Sequence, residues 1–153
     1  MSIHEELNAE LKDAIRDGDQ RRKDVIRQIE TEVSVARSEP GFKGKVDDGL
    51  YVRVIGAFVK RMEKARQEYD ELGEPGRAHS EKLAFEIDYL ARWLPEALTD
   101  DEVRVLVRAA IAELAADDPK MVGRVTGHVM KSGTEGLDGA VVSRIVREEL
   151  GAD

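Results

Sequence analysis

An all-α fold is the expectation from this sequence, and three observations support it. Apolar residues recur three and four positions apart along almost the whole chain, the spacing that lines one face of a helix. Capping residues and Gly or Pro punctuation bracket each of these stretches. Apolar and polar residues nowhere alternate over a run that helical spacing does not explain better, so no strand is expected. Composition agrees: 41% hydrophobic, 5% aromatic and 37% charged residues suit amphipathic helices with solvated outer faces.

Ser2 followed by Glu5 reads as a capping box opening a first helix, whose apolar stripe is Ile3, Leu7, Leu11 and Ala14 or Ile15. Gly18 ends it, and Asp19 can N-cap a second helix carrying Val25, Ile26, Ile29, Val33 and Ala36, so the pair forms an antiparallel hairpin. Residues 38–49, with Pro40, Gly41, Gly44 and Gly49, read as a loop. A third helix is expected from about Leu50, striped by Val54, Ile55, Phe58, Val59, Met62, Ala65 and Tyr69 and stopped at Gly73–Gly76. A fourth runs through Leu83, Ile87, Leu90, Ala91 and Leu94 to Pro95.

Punctuation is denser after Pro95, which divides the chain into an N-terminal helical domain, 1–95, and a compact three-helix tail, 96–153. Thr99 and Glu102 form a second capping box, ahead of Val103, Leu106, Val107, Ala110, Ile111 and Leu114. Asp118–Pro119 supplies an N-cap and a first-turn proline for a short helix to about Met130. Asp138–Gly139 opens the last helix, with Val141, Val142, Ile145, Val146 and Leu150 apolar.

Charge and motif content narrow the function classes. A net charge of -8 repels polyanions at long range, so any RNA site must be a local patch. There are no cysteines, which excludes disulfides and thiolate metal sites and fits a reducing compartment. The first residues have neither the basic nor the apolar region of a signal peptide, and no apolar run approaches the ~20 residues that cross a bilayer. A cytoplasmic protein without a membrane partner is expected.

No catalytic, metal or cofactor site is expected either. His4, His79 and His128 are far apart in sequence, none at a ligand spacing with another, and read as surface residues. The adjacent carboxylates Glu5/Glu6, Asp47/Asp48, Asp100/Asp101 and Glu148/Glu149 read as solvated charge or helix caps, because an acid/base pair needs surroundings that split its pKa values. Lys131–Ser132 resembles the end of a phosphate-binding P-loop, but Met130 stands where that motif requires glycine, and no strand precedes it. No serine has a recognisable base partner.

From Pro119 to Thr134 there is no acidic residue. Lys120, Arg124, His128 and Lys131, spaced 4, 4 and 3, fall along one side of a helix, while Val122, Val125 and Val129 fall on the other. Gly123 and Gly127 flank the strip. Two readings stand side by side: missing side chains would let a phosphate backbone come close, and a small-x3-small pair in a water-soluble helix commonly marks close helix packing. Arg21, Arg22, Lys23 and Arg27 form a second basic cluster, but Asp19, Asp24 and Glu30 are interleaved with it, which favours internal salt bridges.

Three stretches resemble the GatB/YqeY family, specifically the free-standing YqeY-like proteins. They are Asp19-x-x-Arg22-x-x-Val25-Ile26-Arg27; Trp93-Leu94-Pro95-Glu96-Ala97-Leu98 followed by acidic residues; and Met121-x-Gly123-Arg124-Val125 with Asp138-Gly139-Ala140-Val141-Val142 and Ile145-Val146. A related tail on the B subunit of the amidotransferase that converts misacylated Glu-tRNA or Asp-tRNA to the amide form contacts tRNA. The resemblance therefore implies an RNA-binding tail. It also implies no amidation chemistry of its own, since the kinase-like catalytic portion of that subunit has no counterpart here. The expectation is a non-enzymatic tRNA-associated accessory protein, with Lys120, Gly123, Arg124, Gly127, His128 and Lys131 as the contact strip. The alternative is a helical protein-interaction adaptor that docks a partner through N-terminal residues such as Tyr51, Phe58 or Trp93.

Overall fold

The computed structural model describes residues 1–152. Among these it contains seven α-helices and three 3-10 turns, with no strand: α1 Ile3–Asp17, α2 Gln20–Ser38, α3 Asp48–Glu71, α4 Arg77–Leu90, α5 Asp100–Leu114, α6 Val122–Met130 and α7 Gly139–Leu150. The fold is all-α, as the periodicity requires. The chain divides into two compact units between Leu94 and Pro95.

In the first unit the caps act where the sequence places them. Ser2 and Glu5 complete a reciprocal capping box, and Gly18, left-handed at φ 68°, closes α1 through its N–H on Ala14 and Ile15. Asp19 then caps α2 by accepting the Arg22 N–H. His4 lies beside Glu30 and Glu10 beside Arg22, so α1 and α2 run antiparallel. Helix α3 starts at Asp48, two residues before the expected start at Leu50, because Asp47 accepts the Leu50 N–H as N-cap. Gly76 makes the tight return into α4: a Cβ there would lie 2.1 Å from the Tyr69 carbonyl oxygen.

Helix α4 is shorter than its sequence pattern suggests. It ends at Leu90 and tightens into a 3-10 turn over Ala91–Trp93, which leaves Ala91 exposed and turns Trp93 inward. The core comprises Leu7, Ile26, Ile29, Ile55, Leu90 and their neighbours, and it includes Tyr51, Phe58, Tyr89 and Trp93. The polar ends of its buried aromatics reach carboxylates at the rim. Tyr51 Oη donates to Glu30 (2.8 Å), Tyr89 Oη to Glu10 (2.7 Å) and Trp93 Nε1 to Glu6 (2.7 Å). Burial, reinforced by these carboxylates, raises the pKa of both tyrosines, so the phenols stay protonated as donors. Tyr51, Phe58 and Trp93, the aromatics named in the alternative adaptor reading, are only 2%, 4% and 8% exposed and are part of the unit's own core.

In the second unit, Val103, Val107 and Ala110 of α5, Val125 and Val129 of α6, and Val142, Ile145 and Val146 of α7 form a separate core. Thr99 caps α5, but its box is half made: its hydroxyl accepts the Glu102 N–H and faces the Glu102 carboxylate, which does not return to the Thr99 N–H. Asp118 caps a 3-10 turn at Pro119–Met121, and α6 itself begins only at Val122. Asp138 caps α7 by accepting the Ala140 N–H at 2.8 Å. No helix is long and apolar enough to cross a membrane among the described residues.

Candidate nucleic-acid interface

Helix α6 is nine residues long and anchored by two valines. Val125 is fully buried and Val129 nearly so, against α5 and α7, while Val122 is half-buried. With 3.6 residues per turn, this anchoring sets the opposite face outward, and Gly123, Arg124, Gly127, His128 and Lys131 fall within an arc of about 140°. Lys120 belongs to the 3-10 turn before α6, where its N–H is held by the Asp118 carboxylate at 2.9 Å. Lys131 is the C-cap, a position where a cation complements the exposed carbonyls of the last turn. Lys120, Arg124 and Lys131 are exposed, and none makes an ion pair among the described residues.

His128 departs from the pattern. Its Nε2 lies 3.1 Å from Glu113 on α5, so one edge of the strip carries a carboxylate that the acid-free sequence stretch does not reveal. Beside this pair a shallow cleft of about 150 Å³ runs between α5 and α6 past Leu106, Ala109 and Ser132.

The two glycines do not pack. A Cβ built on Gly123 or on Gly127 meets no heavy atom within 4 Å, so the close-packing reading of the small-x3-small pair does not hold. Both sit inside a helix, where glycine is less favourable than alanine by about 0.5–1 kcal/mol. Nothing in the second unit's packing accounts for either residue. Gly123→Ala and Gly127→Ala are each expected to stabilise the protein by about 0.5–1 kcal/mol, read as a rise in the denaturation midpoint. A lowered midpoint would reveal a contact that glycine alone permits.

The remaining basic residues of the tail are mostly paired. Arg104 bonds both Glu148 and Glu149 at 2.7 Å, Arg108 reaches Glu149 at 3.1 Å, and Arg144 bridges Asp100 at 2.8 Å and Glu148 at 3.1 Å. The network aligns α5 parallel to α7. Arg104 holds the Glu148 carboxyl below its ordinary range, and Arg108, with Arg104, does the same for Glu149. The Glu148/Glu149 pair, expected to be solvated or capping, is thus a clamp for α5. Sequence reading has no signal for it, because the partners lie more than forty residues apart in sequence and meet only through helix register.

Of the basic cluster on α2, Arg22 alone is paired internally among the described residues; Arg21, Lys23 and Arg27 form no ion pair. Arg22 contacts Asp19 at 2.9 Å, Asp17 at 3.0 Å and Glu10 at 3.4 Å. The Arg22 backbone N–H, then its guanidinium, lowers the Asp19 pKa. Among the described residues no group of three or more His, Asp or Glu side chains is placed to hold a metal ion.

Most motif residues therefore have visible duties in the fold. Asp19 caps α2 and grips Arg22, Trp93 anchors the first core to Glu6, and Asp138 caps α7. Gly123 and Arg124 have none. A search of curated proteins finds no match to the chain. The family model for Yqey-like protein matches residues 4–150, nearly the full sequence. With that match spanning both helical units and all three motif stretches, the chain belongs to the YqeY-like protein family.

Proposed function

We propose that this chain is a non-enzymatic, cytoplasmic tRNA-associated accessory protein that meets the RNA phosphate backbone along the outer face of α6. The observation that carries the reading is Gly123–Arg124: a helical glycine with open space over it beside an exposed arginine with no ion pair, neither serving the fold. Lys120 and Lys131 extend the positive strip beyond the two ends of α6, and Gly127 continues the open surface. Together these give three unpaired cations over a surface where a backbone can approach closely, which suits phosphate contact without base readout. His128 contributes at the edge, where an approaching phosphate competes with Glu113.

Three phosphate contacts imply that affinity for tRNA falls roughly 20- to 40-fold between 50 and 200 mM salt. Arg124→Glu removes one contact and adds a repelling charge, so it is expected to weaken binding about tenfold or more and flatten the salt dependence by about one contact. Gly123→Ala is expected to bind less tightly even though it folds more stably. A titration of labelled tRNA against wild type and both variants measures all of this. Absence of binding at low salt, or an Arg124→Glu protein that binds as wild type does, overturns the proposal.

A further inference from the structure

The first unit holds a cleft of about 500 Å³ between α2, α3 and α4, in the size range of small-ligand sites. Its apolar wall is Phe58, Met62 and Leu83. Three carboxylates, Asp24, Glu32 and Glu86, line the same cleft. Glu32 is matched by Arg61 at 3.1 Å, so that pair is spent on itself. Among the described residues Asp24 holds only the side-chain amide of Gln20, at 2.6 Å.

Glu86 is the unusual member. It is 9% exposed, yet among the described residues its carboxylate has neither a hydrogen bond nor an ion pair. Among the described residues no buried side-chain oxygen is both sealed from solvent and unpartnered, so the Glu86 oxygens keep their remaining exposure, and the residue lines the cleft. Lys82, one turn earlier on α4, also lines the cleft but makes no ion pair with it. Lys ahead of Glu is the weaker order for a helical pair. Burial raises the Glu86 pKa; Lys82 opposes the rise and Asp24 adds to it. A carboxylate this far buried without a partner costs stability, and a cation entering the cleft would relieve that cost.

We propose that this cleft binds a small aliphatic diamine, with one ammonium on Glu86, the hydrocarbon stem along Phe58, Met62 and Leu83, and the second ammonium drawn to Asp24. Two incompletely matched carboxylates, Asp24 and Glu86, lining one cleft together with apolar side chains call for two cations joined by a hydrocarbon stem. An anion would face Asp24 and Glu86, with Lys82 the one lining cation not already committed to Glu32, and a neutral apolar ligand would leave Glu86 unpartnered.

The test is NMR titration of the full chain with 1,4-diaminobutane, butylamine and butyrate. Saturable shifts of the Phe58, Met62 and Leu83 side-chain resonances are expected with the diamine, weaker ones with the monoamine and none with butyrate. Glu86→Gln keeps the shape and removes the charge, and should weaken diamine binding about tenfold or more. Asp24→Asn, on an exposed side chain, should weaken the diamine several-fold while leaving butylamine nearly unchanged. No saturable shift with the diamine, butyrate binding at the same residues, or diamine affinity unaltered in both variants overturns the proposal.

Discussion

Gly136→Ala is expected to destabilise helices α5 to α7 by about 2–5 kcal/mol, the sum of left-handed backbone strain and overpacking. Gly136 sits at φ 81°, and a Cβ there would lie 2.2 Å from the Glu96 carbonyl oxygen. That oxygen belongs to a backbone segment already pinned to the loop, since Leu98 donates its N–H to the Gly136 carbonyl at 3.3 Å. Neither side can move without breaking the contact that joins the start of the second unit to the loop between α6 and α7. A unit of this size has little stability to spare, so the change should leave much of it open. Amide hydrogen exchange on α5, α6 and α7 is the measurement. Gly133 provides the control: at φ 77° it is also left-handed but has nothing within 4 Å, so Gly133→Ala should cost only the backbone strain, about 1–2 kcal/mol. Equal protection losses in the two variants would show that the close approach to Glu96 is not what glycine serves at position 136.

Leu7→Ala is expected to cost about 2–5 kcal/mol, whereas Ile15→Ala should stay within about 0.5 kcal/mol of wild type. Both residues belong to the apolar stripe of α1 as the sequence presents it. Leu7 is fully buried in the first core, and Ile15 is 53% exposed. Trp93, the single tryptophan, donates to Glu6 on α1 and so gives a fluorescence signal for detachment of that helix. Urea midpoints followed at Trp93 separate the two variants, and similar midpoints would mean that α1 packs in a different rotation.

The contrast shows where sequence reasoning stops. Spacing leaves Ala14 and Ile15 as equal candidates for the last turn of α1, because a 3.6-residue repeat from Ile3 through Leu7 and Leu11 passes between a three- and a four-residue step. The fold resolves it: Ala14 is fully buried and the larger, more apolar neighbour points outward. The same ambiguity recurs on α4. Leu83, Ile87 and Leu94 read as its inner face but are half-buried, while Glu86 and Tyr89 are buried. A buried glutamate is invisible to a pattern that sorts residues by polarity.

On α6, the anchoring valines and the outward cations were legible because a helix wheel separates them. The Glu113 contact with His128 was not, since it comes from α5. Nor did spacing show that Gly123 and Gly127 lie open, for the same x3 spacing serves helix packing elsewhere.

By itself the sequence determined the helices and most of their ends, because helix formation is local. A cap at Ser2, Asp19, Thr99 or Asp138 acts on N–H groups two or three residues away, and Gly18 acts on carbonyls within one turn. Only the tertiary structure decided which charges remain unmatched. Arg104, Arg108 and Arg144 are taken up by acids from the facing helix, while Lys120, Arg124 and Lys131 are left in solvent and Glu86 is left unpartnered at a cleft. Pairing across helices depends on register between segments remote in sequence, and register is set by how the apolar faces pack.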